Sequence, residues 1–218
     1  MAKYGGEPKR IKISIFGDST VGKTAIIYSI LGLKFSDDMM ATVSDDYQMT
    51  FQVKNNEKIK LYIYDFSGNS RFRNIALSSL KYIQGFVIIF DLTNKKSFDN
   101  LNAWLKEIRE RSNNKFSCIL FGNKSDYEKD KWEVTNDEAF KFAKENGISY
   151  FETSAKTNKG IKEGFSYLIN EIYDGKLKEN EENQNNGKNN KININNNSNK
   201  NLSNNSDCIK NRKKKNNK

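Results

Sequence analysis

Eight consecutive residues have the types and the spacing of a loop that binds phosphate: Gly17-Asp18-Ser19-Thr20-Val21-Gly22-Lys23-Thr24. The glycines let successive backbone N–H groups turn toward phosphate oxygens. Lys23 would neutralise the β and γ phosphates, and the Thr24 hydroxyl can ligate Mg²⁺. By itself the pattern indicates only a phosphate-binding site, and its alternative is a glycine-rich turn that merely links a strand to a helix.

Two later polar segments suggest how a nucleotide base would be selected. They are Asn123-Lys124-Ser125-Asp126 and Thr153-Ser154-Ala155-Lys156. A carboxylate fixed at the end of a parallel strand, such as that of Asp126, can accept hydrogen bonds from the ring N–H and the amino group of guanine. Adenine has no such pair of donors, so a site of this kind would select guanine. Backbone N–H groups of the second segment could meet the guanine O6, although each segment alone is a weak signal.

These segments must be positioned by the elements around them, and the chain alternates predicted strands with predicted helices. Apolar and β-branched runs predict strands over 11–16, 47–53, 59–65, 85–91, 116–122 and 148–152. Sequence periodicity and flanking residues predict helices over 21–31, 97–111, 136–145 and 161–173, with Ser97 as an N-cap. Asn55-Asn56 is expected to form a tight turn between two antiparallel strands. This alternation predicts an α/β fold with a mostly parallel sheet, whose ligand site lies at the carboxyl ends of the strands.

In order and spacing, these motifs resemble those of the Ras superfamily of small GTPases, and the resemblance covers residues 10–176. It implies a P-loop GTPase fold, in which a six-stranded, mostly parallel, doubly wound sheet is covered by five helices. The strings over 71–75, 90–93 and 97–101 are most similar to the Rab family. Two positions depart from that family. Residues 43–47 read VSDDY where Rabs usually have IGVDF, and Tyr64 stands where they have a tryptophan.

The resemblance also implies roles for individual residues. Phe35 would pack against the guanine, and the Gly68 N–H would contact the γ phosphate. The implied metal ligands are Thr24, Thr42 (only when the γ phosphate is present) and, through a water molecule, Asp65. The residues implied in catalysis are Lys23, Thr42 and Asn69. The implied GTP-binding residues are Gly17, Asp18, Ser19, Thr20, Val21, Gly22, Lys23, Thr24, Ala25, Phe35, Thr42, Asp65, Gly68, Asn123, Lys124, Asp126, Ser154, Ala155 and Lys156.

Asn69 stands where small GTPases usually carry the glutamine that orients the attacking water. Asparagine is one methylene shorter, and a misplaced amide should slow GTP hydrolysis by as much as roughly 100-fold. The alternative is that Asn69 still works once a partner protein supplies an arginine.

The leading expectation is a Mg²⁺-dependent switch in vesicle trafficking that binds GTP or GDP and hydrolyses GTP slowly. It would contact exchange factors, GTPase-activating proteins and effectors through two switch segments, one with Thr42 and the other with Gly68. A second class of function stays open, a non-hydrolysing GTP-bound scaffold, or pseudo-GTPase, that presents one fixed surface to its partners.

The last part of the chain differs in composition from the rest. Residues 178–218 include 17 Asn, and 10 Lys or Arg against 4 Asp or Glu. We therefore expect a GTPase domain over 1–177 and a disordered tail over 178–218. The tail holds most of the formal net charge of +10, and no base-reading module is visible, so nucleic acid is not an expected partner. Its basic cluster predicts a weak contact with an anionic membrane, and the alternative is a solvated tail that binds nothing specific.

Composition also bears on location. The longest apolar run, 86–90, is too short to span a bilayer, the N-terminus lacks the apolar segment of a signal peptide, and the C-terminus lacks a prenylation motif. Cys118 and Cys208 are expected to be unlinked thiols of a reducing compartment. We expect a monomer in the cytoplasm, attached at most peripherally to endomembranes.

Overall fold

The computed structural model describes residues 9–36, 44–66, 80–112 and 116–175. The chain divides into two units, Met1–Tyr173 and Asp174–Lys218, and the architecture below is that of the first. The predicted domain boundary after residue 177 and the predicted disorder of 178–218 fall outside the described residues, as does Cys208. No helix in the described part of the chain is long and apolar enough to cross a membrane.

Six strands form one sheet: β1 (Arg10–Phe16), β2 (Ser44–Gln52), β3 (Lys58–Phe66), β4 (Gly85–Asp91), β5 (Ser117–Asn123) and β6 (Ser149–Glu152). Their order across the sheet is β2-β3-β1-β4-β5-β6. β2 pairs antiparallel with β3, and the other pairings among the described strands are parallel. The predicted six-stranded, mostly parallel sheet is therefore confirmed. The strand order reverses at β1, so the loops after β1 and β4 flank a crevice of the kind in which α/β sheets bind ligands.

The described helices are α1 (Lys23–Ile30), α2 in two segments (Lys95–Asp99 and Leu101–Arg111), α3 (Asn136–Asn146) and α4 (161–175). These are four of the five helices implied by the resemblance, and the fifth is not confirmed within the described residues. α1 begins two residues later than predicted, because Gly22 has a φ of +95° and still belongs to the preceding loop. α3 begins with a capping box formed by Thr135 and Glu138 and ends at Gly147, whose φ of +69° is left-handed.

The prediction that Ser97 caps α2 was wrong. The helix begins at Lys95, so Ser97 lies inside its first turn. The Ser97 hydroxyl accepts a hydrogen bond from the Asp91 N–H (2.9 Å) and donates one to the Asn94 carbonyl (2.7 Å). Because this side chain is buried against the end of β4, it ties the start of α2 to the sheet instead of satisfying a free helix end.

The connection between β2 and β3 is longer than the predicted two-residue turn. A 3₁₀ turn, Lys54–Asn56, joins the strands, and β2 begins at Ser44 rather than at residue 47. Asn56 does adopt the expected positive φ, at +59°. The Val53 N–H donates a 2.9 Å hydrogen bond to the Glu57 carbonyl, which closes this connection.

Strands β4 and β5 form the centre of the core. Every residue of β4 is buried, as are six of the seven in β5, so both strands are covered on both faces, as is usual in parallel sheets. α2 packs here through side chains that are at most 2% exposed, those of Leu101, Trp104, Leu105 and Ile108. Trp104 is thus a packing residue, and Trp132 is partly buried against the same cluster. The loops at the carboxyl ends of these strands therefore start from rigid supports.

Cys118 lies within this core and carries a free thiol, as predicted. Burial raises the pKa of the thiol to about 12, so the reactive thiolate is scarce at neutral pH.

Candidate nucleotide-binding site

The loop between β1 and α1 has the strained geometry that its glycines allow. Gly17 has a φ of +144° and Gly22 a φ of +95°. A Cβ on Gly17 would lie 2.2 Å from the Ile89 carbonyl oxygen, and a Cβ on Gly22 would lie 2.4 Å from Nδ2 of Asn123. Both positions therefore require glycine, for their backbone conformation and for the close approach of β4 and β5.

Lys23 reaches back across this loop from the first turn of α1. Its Nζ donates hydrogen bonds to the carbonyl oxygens of Gly17 (3.0 Å) and Asp18 (2.7 Å). Burial lowers the pKa of Lys23, while the charges of Asp65 and Asp18 raise it in part. A buried ammonium at the centre of a glycine loop favours a ligand that brings negative charge, and phosphate oxygens do so.

Thr24 and Asp65 form the second part of the site. The Thr24 hydroxyl donates a 2.6 Å hydrogen bond to Oδ2 of Asp65 at the end of β3. Asp65 is fully buried, and its other oxygen, Oδ1, has no hydrogen-bond partner. Burial is the main cause that raises the pKa of Asp65, and the nearby Asp45 adds to it, while the Thr24 hydrogen bond and Lys23 oppose it.

This pair fits a divalent cation. A hydroxyl and a carboxylate are hard oxygen ligands, and a buried carboxylate with an unpaired oxygen gains from a positive charge beside it. The described residues contain no group of three or more acidic, histidine or cysteine side chains that could hold a metal by themselves. One or two protein oxygens, completed by phosphate and water, are the usual environment of Mg²⁺.

Asn123 connects three loops on the other side of the crevice. It lies at the end of β5 and is 1% exposed. Its Nδ2 donates to the Val21 carbonyl in the phosphate loop at 2.8 Å, and its Oδ1 accepts from the Ala155 N–H at 3.1 Å. The buried side-chain amide of Asn123 therefore links the phosphate loop to the segment after β6.

Asp126 is fixed by the segment after β6. The Ser154 hydroxyl donates a 2.6 Å hydrogen bond to Oδ1 of Asp126 and accepts one from the Thr157 N–H at 3.1 Å. The Ser125 N–H donates to the Thr153 carbonyl at 3.0 Å, which joins the two loops. Because Asp126 is exposed but held, it can present its carboxylate to a base with two adjacent donors.

The carboxylate of Asp91, which sequence reasoning missed, holds Lys124. Asp91 ends β4, and its Oδ2 lies 2.6 Å from Nζ of Lys124, with the two side chains 7% and 31% exposed. Its Oδ1 accepts hydrogen bonds from the N–H (2.9 Å) and the hydroxyl (2.8 Å) of Thr93. Lys124 has a φ of +68°, so its backbone is also constrained. The available signal was that Asp91 is a polar residue at the end of a buried strand next to β5.

The structure brings together most of the residues named from the sequence. The assembled residues are Gly17, Asp18, Val21, Gly22, Lys23, Thr24, Asp65, Asn123, Lys124, Asp126, Ser154 and Ala155. Ser19, Thr20 and Lys156 are exposed around them, and Ala25 is buried in α1. Phe35 lies beyond α1 and is 37% exposed. Thr42, Gly68 and Asn69 lie outside the described residues.

A six-stranded sheet of this order, with a lysine-bearing glycine loop after β1, defines a P-loop nucleotide-binding protein. The chain belongs to the Ras family, whose model matches residues 12–174. Curated relatives include the Ras-related protein Rab-13 of Canis lupus familiaris, which is 35% identical over 161 residues that span 74% of this chain and 79% of the relative. Rab-10 of Diplobatis ommata is 36% identical (74% and 80%), and Rab-8B of Homo sapiens is 34% identical (74% and 77%). The chain is thus a divergent Rab-like small GTPase, a class that binds GTP and GDP, usually with Mg²⁺.

Asp91→Asn should speed the release of GDP about tenfold if Lys124 contacts the nucleotide as the sequence predicts, because it removes the charge that holds the Lys124 side chain. Asparagine keeps the shape of the side chain and can still accept the hydrogen bonds of Thr93. The measurement is dissociation of fluorescent GDP by stopped-flow or plate fluorimetry. The matched control is Asp99→Asn, an exposed change in α2 that should leave the rate within twofold. Unchanged release from Asp91→Asn would show that the ion pair does not position Lys124 for binding.

Proposed function

We propose that this chain is a Mg²⁺-dependent guanine-nucleotide switch with slow GTP hydrolysis, built on a GTPase domain over 1–177. The observation that carries the proposal is the hydrogen bond from the Thr24 hydroxyl to the buried Asp65, whose Oδ1 is unpaired. Thr24 directly follows the buried Lys23 in the sequence. Thr24 and Asp65 supply a cation site, and the adjacent Lys23 supplies a positive charge for phosphate.

Each residue has a defined task in this proposal. The Lys23 ammonium and the loop N–H groups bind the β and γ phosphates. Thr24 would hold Mg²⁺ directly, and Asp65 would hold it through a water molecule. The metal supplies positive charge against the phosphate oxygens when it is bound. Thr42 and the Gly68 N–H are proposed to contact the γ-phosphate side, so that the two switch segments are held with GTP and released with GDP.

Selection of guanine is assigned to the two loops after β5 and β6. Asp126, oriented by Ser154, would accept the ring N–H and the amino group, and the Ala155 and Lys156 backbone would face O6. The aliphatic part of Lys124 and the ring of Phe35 would cover the two faces of the base. Adenine lacks this pair of donors, so ATP would not gain these two hydrogen bonds.

The first test is to identify the nucleotide that the purified protein carries. Full-length protein is purified in Mg²⁺ and denatured, and the released nucleotide is separated by chromatography. GDP is expected, since a chain that hydrolyses GTP even slowly accumulates product. Stoichiometric GTP would favour the scaffold, and the absence of any guanine nucleotide, combined with no measurable GDP binding, would overturn the proposal.

Asn69→Gln is expected to speed single-turnover GTP hydrolysis by about 10-fold or more, because the longer side chain can reach the attacking water. The measurement is the release of phosphate from GTP-loaded protein without added partners. Asn102→Gln is the matched control, because Asn102 is an exposed residue of α2. An unchanged rate would show that the shorter amide is not what limits turnover. The scaffold alternative, favoured by Asn69, predicts no hydrolysis by the unmodified chain over hours.

The Rab-named relatives support a role in vesicle trafficking, with exchange factors, GTPase-activating proteins and effectors at the switch segments. Position 45 lies in β2 and carries an exposed aspartate where Rabs usually have valine, so we propose that the effector set differs from theirs. We further propose a monomer at the cytoplasmic side of endomembranes, with a weak contact between the basic tail and anionic lipid.

A further inference from the structure

Both carboxylate oxygens of Asp18 are bound by side chains from outside the phosphate loop. Nδ2 of Asn100 donates to Oδ2 at 2.6 Å, and Nε1 of Trp104 donates to Oδ1 at 2.8 Å. Both donors belong to α2, more than 80 residues away in the chain. We call Asp18, Asn100 and Trp104 the Asp18 clamp.

Asn100 and Trp104 lie together at the start of the second segment of α2. The helix breaks at Asn100, between its segments Lys95–Asp99 and Leu101–Arg111. The Trp104 N–H binds the Asn100 carbonyl at 3.3 Å, so the two residues are one turn apart on the same face. That face points to the phosphate loop, while its neighbours Leu101 and Leu105 are buried in the core.

The indole is itself fixed, so it can serve as a reference point for the loop. Trp104 is 2% exposed, and its ring centroid lies 5.7 Å from that of Phe16, the last residue of β1. Phe16 directly precedes Gly17, where the loop begins. The core therefore sets the position of the indole N–H relative to the start of the loop.

Asp18 passes this constraint to Lys23. The Asp18 carbonyl accepts the shorter of the two Lys23 hydrogen bonds, at 2.7 Å, and the negative charge of Asp18 raises the pKa of the buried lysine. A carboxylate that could swing freely beside the phosphates would repel them. The neutral donors of Asn100 and Trp104 hold the Asp18 carboxylate instead. They thereby also hold the Asp18 carbonyl that Lys23 binds.

We propose that the Asp18 clamp is a positioning element for the phosphate loop, through which α2 sets how long the site retains its nucleotide. The inference rests on the proposed nucleotide-binding function and adds two residues to it, Asn100 and Trp104, which act through Asp18. Loosening the clamp frees the Asp18 peptide and the ammonium that rests on it, so the bound phosphates lose a preorganised partner.

The test is a double-mutant cycle on the dissociation of fluorescent GDP from the Mg²⁺-loaded full chain. Trp104→Phe keeps an aromatic ring in the core but removes the N–H donor, and it should speed dissociation about tenfold. In the background of Asp18→Ala the same change should add less than twofold, because its acceptor is absent. Tyr173→Phe is the matched control and should change nothing, since it removes a donor from another buried aromatic side chain, whose hydroxyl binds Glu57 just before the start of β3.

Asn100→Ala gives a second, independent arm, with an expected effect of similar size that also disappears in Asp18→Ala. A purely structural role for Trp104 would lower thermal stability and speed release by the same factor in both backgrounds. That result, or an unchanged rate in both Trp104→Phe and Asn100→Ala, would overturn the proposal. Failure of the unmodified chain to bind GDP would overturn the proposed function instead, so the two failures are distinguishable.

Discussion

Asp126→Ala is expected to lower the affinity for GDP by about 10³-fold while leaving the weak affinity for ADP unchanged. In the proposed complex the carboxylate accepts two hydrogen bonds from guanine, and each charge-assisted bond contributes about 1.5–3 kcal/mol. Alanine removes both acceptors and leaves two guanine donors unpaired in the site. Selectivity therefore falls by the same factor as affinity.

The measurement for Asp126→Ala is isothermal titration of nucleotide-free protein with GDP and then with ADP. Asp130→Ala, an exposed change in the 3₁₀ turn Lys129–Lys131, is the matched control. Ser154→Ala should give an intermediate loss of about 10-fold, because Asp126 remains but loses the 2.6 Å hydrogen bond that orients it. Equal losses for GDP and ADP in Asp126→Ala would mean that this residue supports the loop and does not read the base.

Lys23→Ala is expected to reduce GDP affinity by at least about 10³-fold, because a buried ammonium is the main positive charge of the protein near the phosphates. The chain should still fold, since the site lies in loops at the carboxyl ends of the strands and the Gly17 and Asp18 carbonyls can bind water when Lys23 is absent. Binding is measured by titration with fluorescent GDP, and folding by circular dichroism and thermal unfolding of the nucleotide-free protein. Lys144→Ala, an exposed change near the end of α3, should have no effect.

Lys23 also makes the affinity depend on pH in a defined direction. Burial lowers the pKa of this lysine in the free protein, and phosphate would raise it again on binding. Binding at a pH above the lowered pKa therefore takes up a proton, so affinity falls as the pH rises through that value. The ratio of GDP affinities, unmodified protein to Lys23→Ala, should decline as the pH rises toward 10.5, the ordinary pKa of a lysine. A constant ratio would indicate that the ammonium does not titrate in this range.

Local signals in the sequence determined the phosphate loop, the six strands and the site at the carboxyl ends of the strands. These are features that a few neighbouring residues fix, because glycine permits the backbone of Gly17 and Gly22, and continuous apolar runs demand burial of β4 and β5. The resemblance to a family supplied the roles of Thr42, Gly68 and Asn69, which remain predictions.

The tertiary structure alone decided which side chains hold the site in place. Asp91 reaches Lys124 because β4 lies beside β5, and Asp18 meets Asn100 and Trp104 because α2 packs against the start of the loop. Neither pairing has a local pattern, since each joins residues far apart in the chain whose distance depends on strand order and helix packing. For the same reason Ser97 was misassigned as a cap: its environment is set by the buried end of β4 rather than by its neighbours in sequence. Local chemistry thus predicted where a nucleotide binds, and long-range packing determined what positions the residues that bind it.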